Sequence, residues 1–198
     1  MTGPRKPGRP RSAEADKAIL STTLELLASE GLQGLSIERV AAGAGVGKTT
    51  IYRRWSRKRD LAQAALEFFA VEIKPPELPD TGTVREDLLE FARLRNAVLP
   101  RTRLNRLMPR LATESADDVE LHRLVRKIVI DPERAAIREI FRRGLERGEL
   151  RADVDLELAV DLFAGPFVYR LLISRSRAHA VRDLPGPLID LLFRGAGA

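Results

Sequence analysis

Residues 36–55 read SIERVAAGAGVGKTTIYRRW, and the apolar pattern on either side of their glycine-rich centre decides how the chain folds. Ser36 is a good helix N-cap, and Ile37, Val40 and Ala41 follow it at helical spacing. Gly43-Ala44-Gly45 breaks that helix, and a second short one runs from about Gly47 to Trp55. Small Ala41 lets the two helices approach, Gly45 allows a left-handed turn between them, and Val40, Val46 and Ile51 fill the wedge. This is the anatomy of a helix-turn-helix, whose second helix lies in the DNA major groove and leads with its N-terminal residues.

The residues on the other side of the second helix set out a candidate interface. Lys48, Thr49 and Arg53 point away from the wedge toward base edges: Lys and Arg donate to guanine O6 and N7, and a Thr methyl meets the thymine methyl. Thr50 and Tyr52 offer hydroxyls suited to phosphate oxygens, which hold register without specifying sequence. Lys58 joins a cation to the start of the next helix, a natural phosphate clamp, and Ser36 completes the DNA-binding set. The same stretch carries a decoy. Residues 42–49, AGAGVGKT, satisfy a permissive phosphate-loop pattern, but that loop needs a buried strand before it, and residues 36–40 are helix-patterned and charged.

Working outward, residues 3–11, GPRKPGRPR, hold four cations, three prolines and no acidic residue. They cannot pack into a core and read as a mobile arm. A helix opens at Ser12 or Ala13 with Ala15, Ala18, Ile19, Thr22, Thr23, Leu26 and Leu27 on one stripe, and Gly31 stops it. Ser56 can cap a longer helix carrying Leu61, Ala64, Ala65, Phe68 and Phe69. The run from Pro75 to Gly82 is the clearest punctuation in the chain. After it, Thr83 and Glu86 form a capping box for a helix bearing Leu88, Phe91, Arg95 and Val98. Pro100 and Pro109 bracket a shorter helix, and a further helical region runs from Asp117 to about Arg147, restarted or kinked at Asp131-Pro132. Asp155 caps an apolar segment to about Arg175, kinkable at Gly165-Pro166, and a final helix spans roughly Pro187 to Phe193. No period-2 strand and no repeat is visible, so the fold class is all-α. The expected organisation is a basic arm over 1–11, a helix-turn-helix domain over 12–74 and a second helical domain over 83–198.

Charge follows this division. Among 198 residues the formal charge is +6, and residues 1–60 carry 12 Lys/Arg against 6 Asp/Glu, so the remainder is neutral. A basic module that meets a polyanion is joined to a neutral one with another task. There is no cysteine and there are two histidines, His122 and His179. A disulfide framework, a cysteine zinc site and a His-dependent catalytic triad are thereby excluded or starved of residues, so no catalytic residue, metal site or cofactor is expected and the chain reads as a binder, not an enzyme. No stretch is long and apolar enough to span a membrane, and no apolar segment follows the basic N-terminus as a secretory signal requires. A cytoplasmic protein is the expectation.

The stretch from Ser12 to about Val71 resembles the N-terminal domain of tetracycline-repressor (TetR) family regulators. The resemblance rests on the ordered Ala, Gly, Val, Ile, Tyr and Trp of residues 36–55, followed by Lys58 and Asp60-Leu61, and covers about 60 of 198 residues. Gly47 stands where the family often has Ser, and Arg57 where a capping Ser is frequent. The resemblance implies an all-helical homodimer whose N-terminal helices bind a double-stranded operator and whose larger C-terminal domain dimerises and binds a small-molecule effector. By the same resemblance the effector pocket lies between the middle helices, with Phe68, Phe91, Leu94, Leu107, Leu111, Leu124 and Phe141 as candidate lining residues. Each of these also suits a plain helical core.

Two readings come from the residues themselves. The segments 156–173 and 188–193 are too apolar to face solvent on a monomer. Phe163, Phe167, Leu171, Leu172, Leu188, Leu191 and Leu192 are therefore candidates for a helix-pair dimer interface, the alternative being a core helix within one chain. Arg101, Arg103, Arg106 and Arg110 form a basic cluster expected to face solvent beside Glu114 and Asp117-Asp118. The leading expectation is a homodimeric, ligand-responsive repressor that binds a palindromic operator through its helix-turn-helix. The alternative is an architectural DNA-binding protein of low specificity that works through its arm, since Gly8-Arg9-Pro10-Arg11 resembles the core of a minor-groove hook. In either case Arg5, Lys6, Arg9 and Arg11 are DNA-binding candidates. Deleting residues 1–11 is expected to weaken binding and flatten its salt dependence, by a slope of roughly 0.9 per lost phosphate contact. An unchanged slope in a salt titration would remove the arm from the interface.

Overall fold

The computed structural model describes residues 13–74, 77–98, 103–174 and 183–196. In chain order the helices are α1 (Ala13–Gly34), α2 (Ile37–Gly43), α3 (Lys48–Tyr52), α4 (Lys58–Glu72), α5 (Val84–Val98), α6 (Leu104–Ser115), α7 (Val119–Val125), α8 (Asp131–Glu146), α9 (Leu156–Val168) and α10 (Pro185–Ala196). No β-strand occurs among the described residues, as the all-α reading expects.

Two cores organise these helices. The first joins Ile19, Leu24 and Leu27 of α1 to Val40, Ile51, Leu61, Leu66 and Phe69, and is closed from the far side by Leu107 and Leu111 of α6 and Leu121 and Val125 of α7. The second gathers Val84, Leu88 and Phe91 of α5 with Ile137, Ile140 and Phe141 of α8, Val160 and Phe163 of α9 and Ile189 of α10. Each fully buried Leu, Ile or Phe contributes roughly 1.5–3 kcal/mol of transfer free energy. Thus α6 and α7, although beyond the proline-rich punctuation, pack with the helices before it.

Polar contacts fasten α6 along α1. Arg103 donates to Glu25 Oε1 at 2.5 Å and to Ser21 Oγ at 2.6 Å, and Arg106 donates to Glu25 Oε2 at 3.0 Å. Arg110 reaches the Glu30 carbonyl at 2.9 Å, and the Leu32 N–H donates to Glu114 Oε2 at 2.6 Å. Arg110 pairs with Glu114 at 3.4 Å, and Arg106 and Arg110 stay exposed as expected, but the cluster also forms an interhelix ladder, because α1 offers carboxylates and carbonyls opposite it; Arg101 lies outside the described residues. Asp118 likewise turns to Arg59 in a two-pronged pair at 2.7 and 3.0 Å. The Arg59 guanidinium, with the Leu121 N–H, holds the Asp118 carboxyl down at about 2.

Several helix boundaries depart from the sequence reading. Pro109 lies inside α6 and does not end a helix; a missing N–H costs one backbone bond, and the ladder to α1 with the burial of Leu107 and Leu111 holds the helix through it. Ser56 does not cap α4. The cap is Arg57, and Asp60 reaches back to accept from the Arg57 N–H at 3.1 Å and from the Ser56 hydroxyl at 3.0 Å. At Asp131-Pro132, where the sequence allows a new start or a kink, α8 begins, with Pro132 in its first turn. One wide turn over Arg126–Ile130 leads into α8, with the Asp131 N–H bonded to the Arg126 carbonyl five residues back. A similar wide turn, Tyr169–Ile173, extends α9 past Gly165-Pro166.

Gly31 marks the end of the straight part of α1 at φ 76°, in the left-handed region. A Cβ there would fall on the Glu114 carboxylate, which is held by the Leu32 N–H. Gly45 has φ 66° but open space around it. Gly45→Ala should therefore cost about 1 kcal/mol of backbone strain, and Gly31→Ala roughly 2 kcal/mol or more. Equal losses in urea unfolding would mean that Glu114 yields without cost.

Candidate nucleic-acid interface

The helix-turn-helix is built from short pieces that only tertiary packing can hold. Ser36 caps α2 from an extended conformation, its hydroxyl facing the Arg39 N–H at 3.5 Å. The turn is closed by bonds from Ala44 N to the Val40 carbonyl at 2.9 Å and from Val46 N to the Ala41 carbonyl at 3.0 Å. Val40 and Ile51 are fully buried and Val46 packs beside them, so the wedge expected from sequence is formed. Gly47 caps α3 with no side-chain bond, as its departure from Ser implies.

On the opposite face Lys48, Thr49, Tyr52 and Arg53 are exposed, with Tyr52 at 51%, and Thr50 is half-buried. Arg53 carries no ion pair among the described residues. Its neighbour Arg54 is turned inward: it forms an ion pair with Asp16 of α1 at 2.5 Å and donates to the Thr50 carbonyl at 3.2 Å. This pair ties the first turn of α1 to the far end of α3. Lys58 is half-buried and donates to the Gln33 carbonyl at 3.0 Å, so its ammonium stands at the junction of α1 and α4. Arg5, Lys6, Arg9 and Arg11 lie outside the described residues.

One residue on this face escaped the sequence reading. Glu38 takes a bond from Lys48 Nζ at 3.0 Å and from the Ser36 hydroxyl at 2.9 Å. Lys48, then the residue's own backbone N–H and the Ser36 hydroxyl, hold its carboxyl down at about 2. The available signal was an acidic residue two places after the cap in an otherwise basic segment. The phosphate-loop pattern of residues 42–49 straddles the turn: α2 precedes it where a nucleotide site needs a strand.

The effector candidates do not converge on one cavity. Phe68, Leu107, Leu111 and Leu124 belong to the first core, Phe91 and Phe141 to the second, and Leu94 is half-buried on α5. A groove of about 380 Å³ between α4 and α7 is rimmed by Arg57, Arg59, Arg123 and Lys127, and of the candidates only Leu124 reaches it. Between the two cores, buried Arg95 bonds Glu133 at 2.9 Å and the Ile73 carbonyl at 2.8 Å.

The interface candidates also separate. Phe163 is 2% exposed and packs edge-on against Phe141 and beside Phe167, so it lies behind the outer face and not on it. Phe167, Leu172, Leu188 and Leu192 are half-buried, and the side chain of Leu171 is outside the described set. Leu191 is outward, and with it stand residues not foreseen: Leu158, Leu162, Tyr169 and Ile173, each at least half exposed. No helix among the described residues is long and apolar enough to cross a membrane.

Comparison with known proteins agrees with this geometry. The pattern of bacterial regulatory proteins of the tetR family matches residues 19–65, and that of the tetracyclin repressor-like C-terminal domain matches residues 78–184. The chain is 33% identical over 181 residues to the HTH-type transcriptional regulator YdeS of Bacillus subtilis, covering 90% of each. It is 34% identical over 170 residues to the DNA-binding transcriptional repressor TetR of Mycobacteroides abscessus, covering 84% of this chain and 85% of the other. Among solved structures, the regulator FadR of Bacillus subtilis in complex with stearoyl-CoA superposes with a TM-score of 0.72 at 19% identity, over 90% of this chain and 98% of that one.

Arg53, exposed at the C-cap of α3, has no carboxylate partner among the described residues. Arg53→Ala is expected to cost roughly 1–3 kcal/mol at one or two base pairs and little elsewhere in the bound sequence. Uniform weakening across sequences in a competition assay would make it a phosphate contact.

Proposed function

This chain belongs to the TetR family of DNA-binding transcriptional regulators, and from that premise we propose that it is a homodimeric, ligand-responsive repressor of a palindromic operator. The observation that carries the reading is the two-sided character of α3: Ile51 is fully buried while Lys48 and Thr49 face outward on the same short helix, with Arg53 exposed at its C-cap. Each subunit would seat that face in one major groove, with Ser36, Thr50, Tyr52 and Lys58 toward the backbone. Residues 12–74 form the reading head, and residues 83–198 serve dimerisation and ligand binding. The repressor assignment is supported by the name of the Mycobacteroides abscessus relative.

The dimer is supported by the apolar stripe of Leu158, Leu162, Tyr169 and Ile173 along α9 and its wide turn, joined by Leu191 on neighbouring α10. Such a patch is more than a monomer usually leaves in water. A twofold pairing of α9 and α10 covers it, with half-buried Phe167, Leu172, Leu188 and Leu192 at its margin and Phe163 supporting it from within.

A small-molecule effector acts by preferring one separation of the two heads; without that differential affinity nothing shifts. The ladder of Arg103, Arg106, Arg110 and Glu114 gives α6 a grip on α1 through which such a preference reaches α2 and α3. Among the candidate lining residues, Phe68, Leu94 and Leu124 keep partial exposure, and Leu124 opens into the groove between α4 and α7. That FadR holds stearoyl-CoA supports a ligand in a protein of this fold.

Selection of bound sequences from random DNA, followed by footprinting, tests the reading. A discrete site with two half-sites about one helical turn apart is expected; even coverage without a preferred sequence would favour the architectural alternative. In sedimentation at micromolar concentration the protein is expected at twice its 22.1 kDa chain mass, and Leu162→Glu at the chain mass with its helical content intact. A monomeric parent protein would overturn the dimer.

A further inference from the structure

Glu38 is the one acidic residue in residues 36–55, a segment that also holds Arg39, Lys48, Arg53 and Arg54. Three of these four cations are already engaged. Arg39 pairs with Glu30 and Arg54 with Asp16, both on α1. Lys48 pairs with Glu38 at 3.0 Å across the turn, which leaves Arg53 without a carboxylate partner among the described residues. The Glu38–Lys48 pair differs from the other two in its position. Both side chains are more than half exposed, at 60% and 55%, and they join the first turn of α2 to the first residue of α3, where that helix leads into the groove. The Ser36 hydroxyl, at 2.9 Å, fixes the carboxylate from behind.

A carboxylate in this place has a definite cost. It faces a polyanion, and it occupies the ammonium that would otherwise neutralise a phosphate wherever the protein lands. An exposed pair of this kind is weakly held and exchangeable. The exchange repays the cost only where the DNA offers the carboxylate a donor, and in the major groove a carboxylate's partner is the cytosine N4 amino group.

We propose that Glu38 is a specificity-determining residue, which restrains Lys48 on unrelated DNA and releases it where a cytosine N4 replaces the ammonium as donor. Glu38 then acts as the repulsive element that penalises wrong sequences, while Lys48 and Arg53 supply attraction. The inference deepens the operator-binding reading and rests on it for the cytosine contact; the restraint of Lys48 does not need an operator.

The test uses full-length protein, Glu38→Gln, Lys48→Gln and the double variant, on the selected duplex and on a scrambled one across a salt series. Glutamine keeps the length of the side chain and its bond to Ser36 but not the charge. Glu38→Gln is expected to bind the scrambled duplex roughly threefold to tenfold more tightly, with a salt slope steeper by about 0.9 as Lys48 gains a phosphate. On the selected duplex the gain is expected to be absent, and reselected sequences should lose a preference for cytosine at one position per half-site. In the double variant the extra slope should vanish. Equal tightening on both duplexes would reduce Glu38 to a general repulsion and overturn the proposal. Equal weakening with a lowered melting temperature would make it a helix-capping residue and overturn it too. Should selection return no discrete site, the repressor reading and the cytosine contact fall together, while the slope on scrambled DNA still decides whether Glu38 restrains Lys48.

Discussion

The recognition helices are placed by a single reversal of the chain. At Gly31 the backbone enters the left-handed region, and the helix behind it can no longer satisfy the next amide. The Leu32 N–H turns to the Glu114 carboxylate, eighty-two residues away in sequence. Everything after that point in the reading head, α2, the turn and α3, takes its direction from this bend. Everything before it is a straight helix packed on α4 and α6. A side chain at position 31 would have to displace the group that completes the bend, so conformational freedom and a long-range hydrogen bond meet in one residue.

Electrostatics on this scaffold serve placement more than raw attraction. The reading head holds four of the nine cations described in it in pairs: Arg39 with Glu30, Arg54 with Asp16, Lys48 with Glu38 and Arg59 with Asp118. The same habit fills the C-terminal helices, where Arg134 and Arg138 share Glu157, and Arg147 meets Asp87 and Glu149. Exposed pairs of this kind add little stability one by one. Their effect is to fix where each paired cation points; Lys17, Arg53, Arg57, Lys58 and Lys74 have no carboxylate pair among the described residues, and Arg53 is the one that stands at the end of α3.

What was legible in the sequence is what is local. The wedge of Val40, Ala41, Val46 and Ile51, the positive φ at Gly45 and the weak cap at Gly47 each follow from residue type and spacing within a few positions. Features that depend on distant partners were not legible. Nothing near Pro109 announces that α1 will carry α6 through it, and nothing near Arg103 and Arg106 reveals Glu25 as their partner rather than water. The outward face of α9 failed for a related reason. Its composition is apolar on most sides, so periodicity cannot say that Phe163 turns inward while Leu162 turns out. The wide turns at 126–130 and 169–173 add a residue to the helical count and shift the faces beyond them.

The shortness of α3 bears on how this molecule can change state. Five residues make little more than one turn, far below the length at which a helix survives alone in water. Its caps are backbone bonds, and its persistence comes from Ile51 in the core and from Arg54 held by Asp16. It therefore has no local opening of its own: its amides should exchange with solvent only when the surrounding core opens. A surface of that kind is not graded by partial melting. It moves only together with the core that holds it, so a change in its position is a rigid displacement of the whole head.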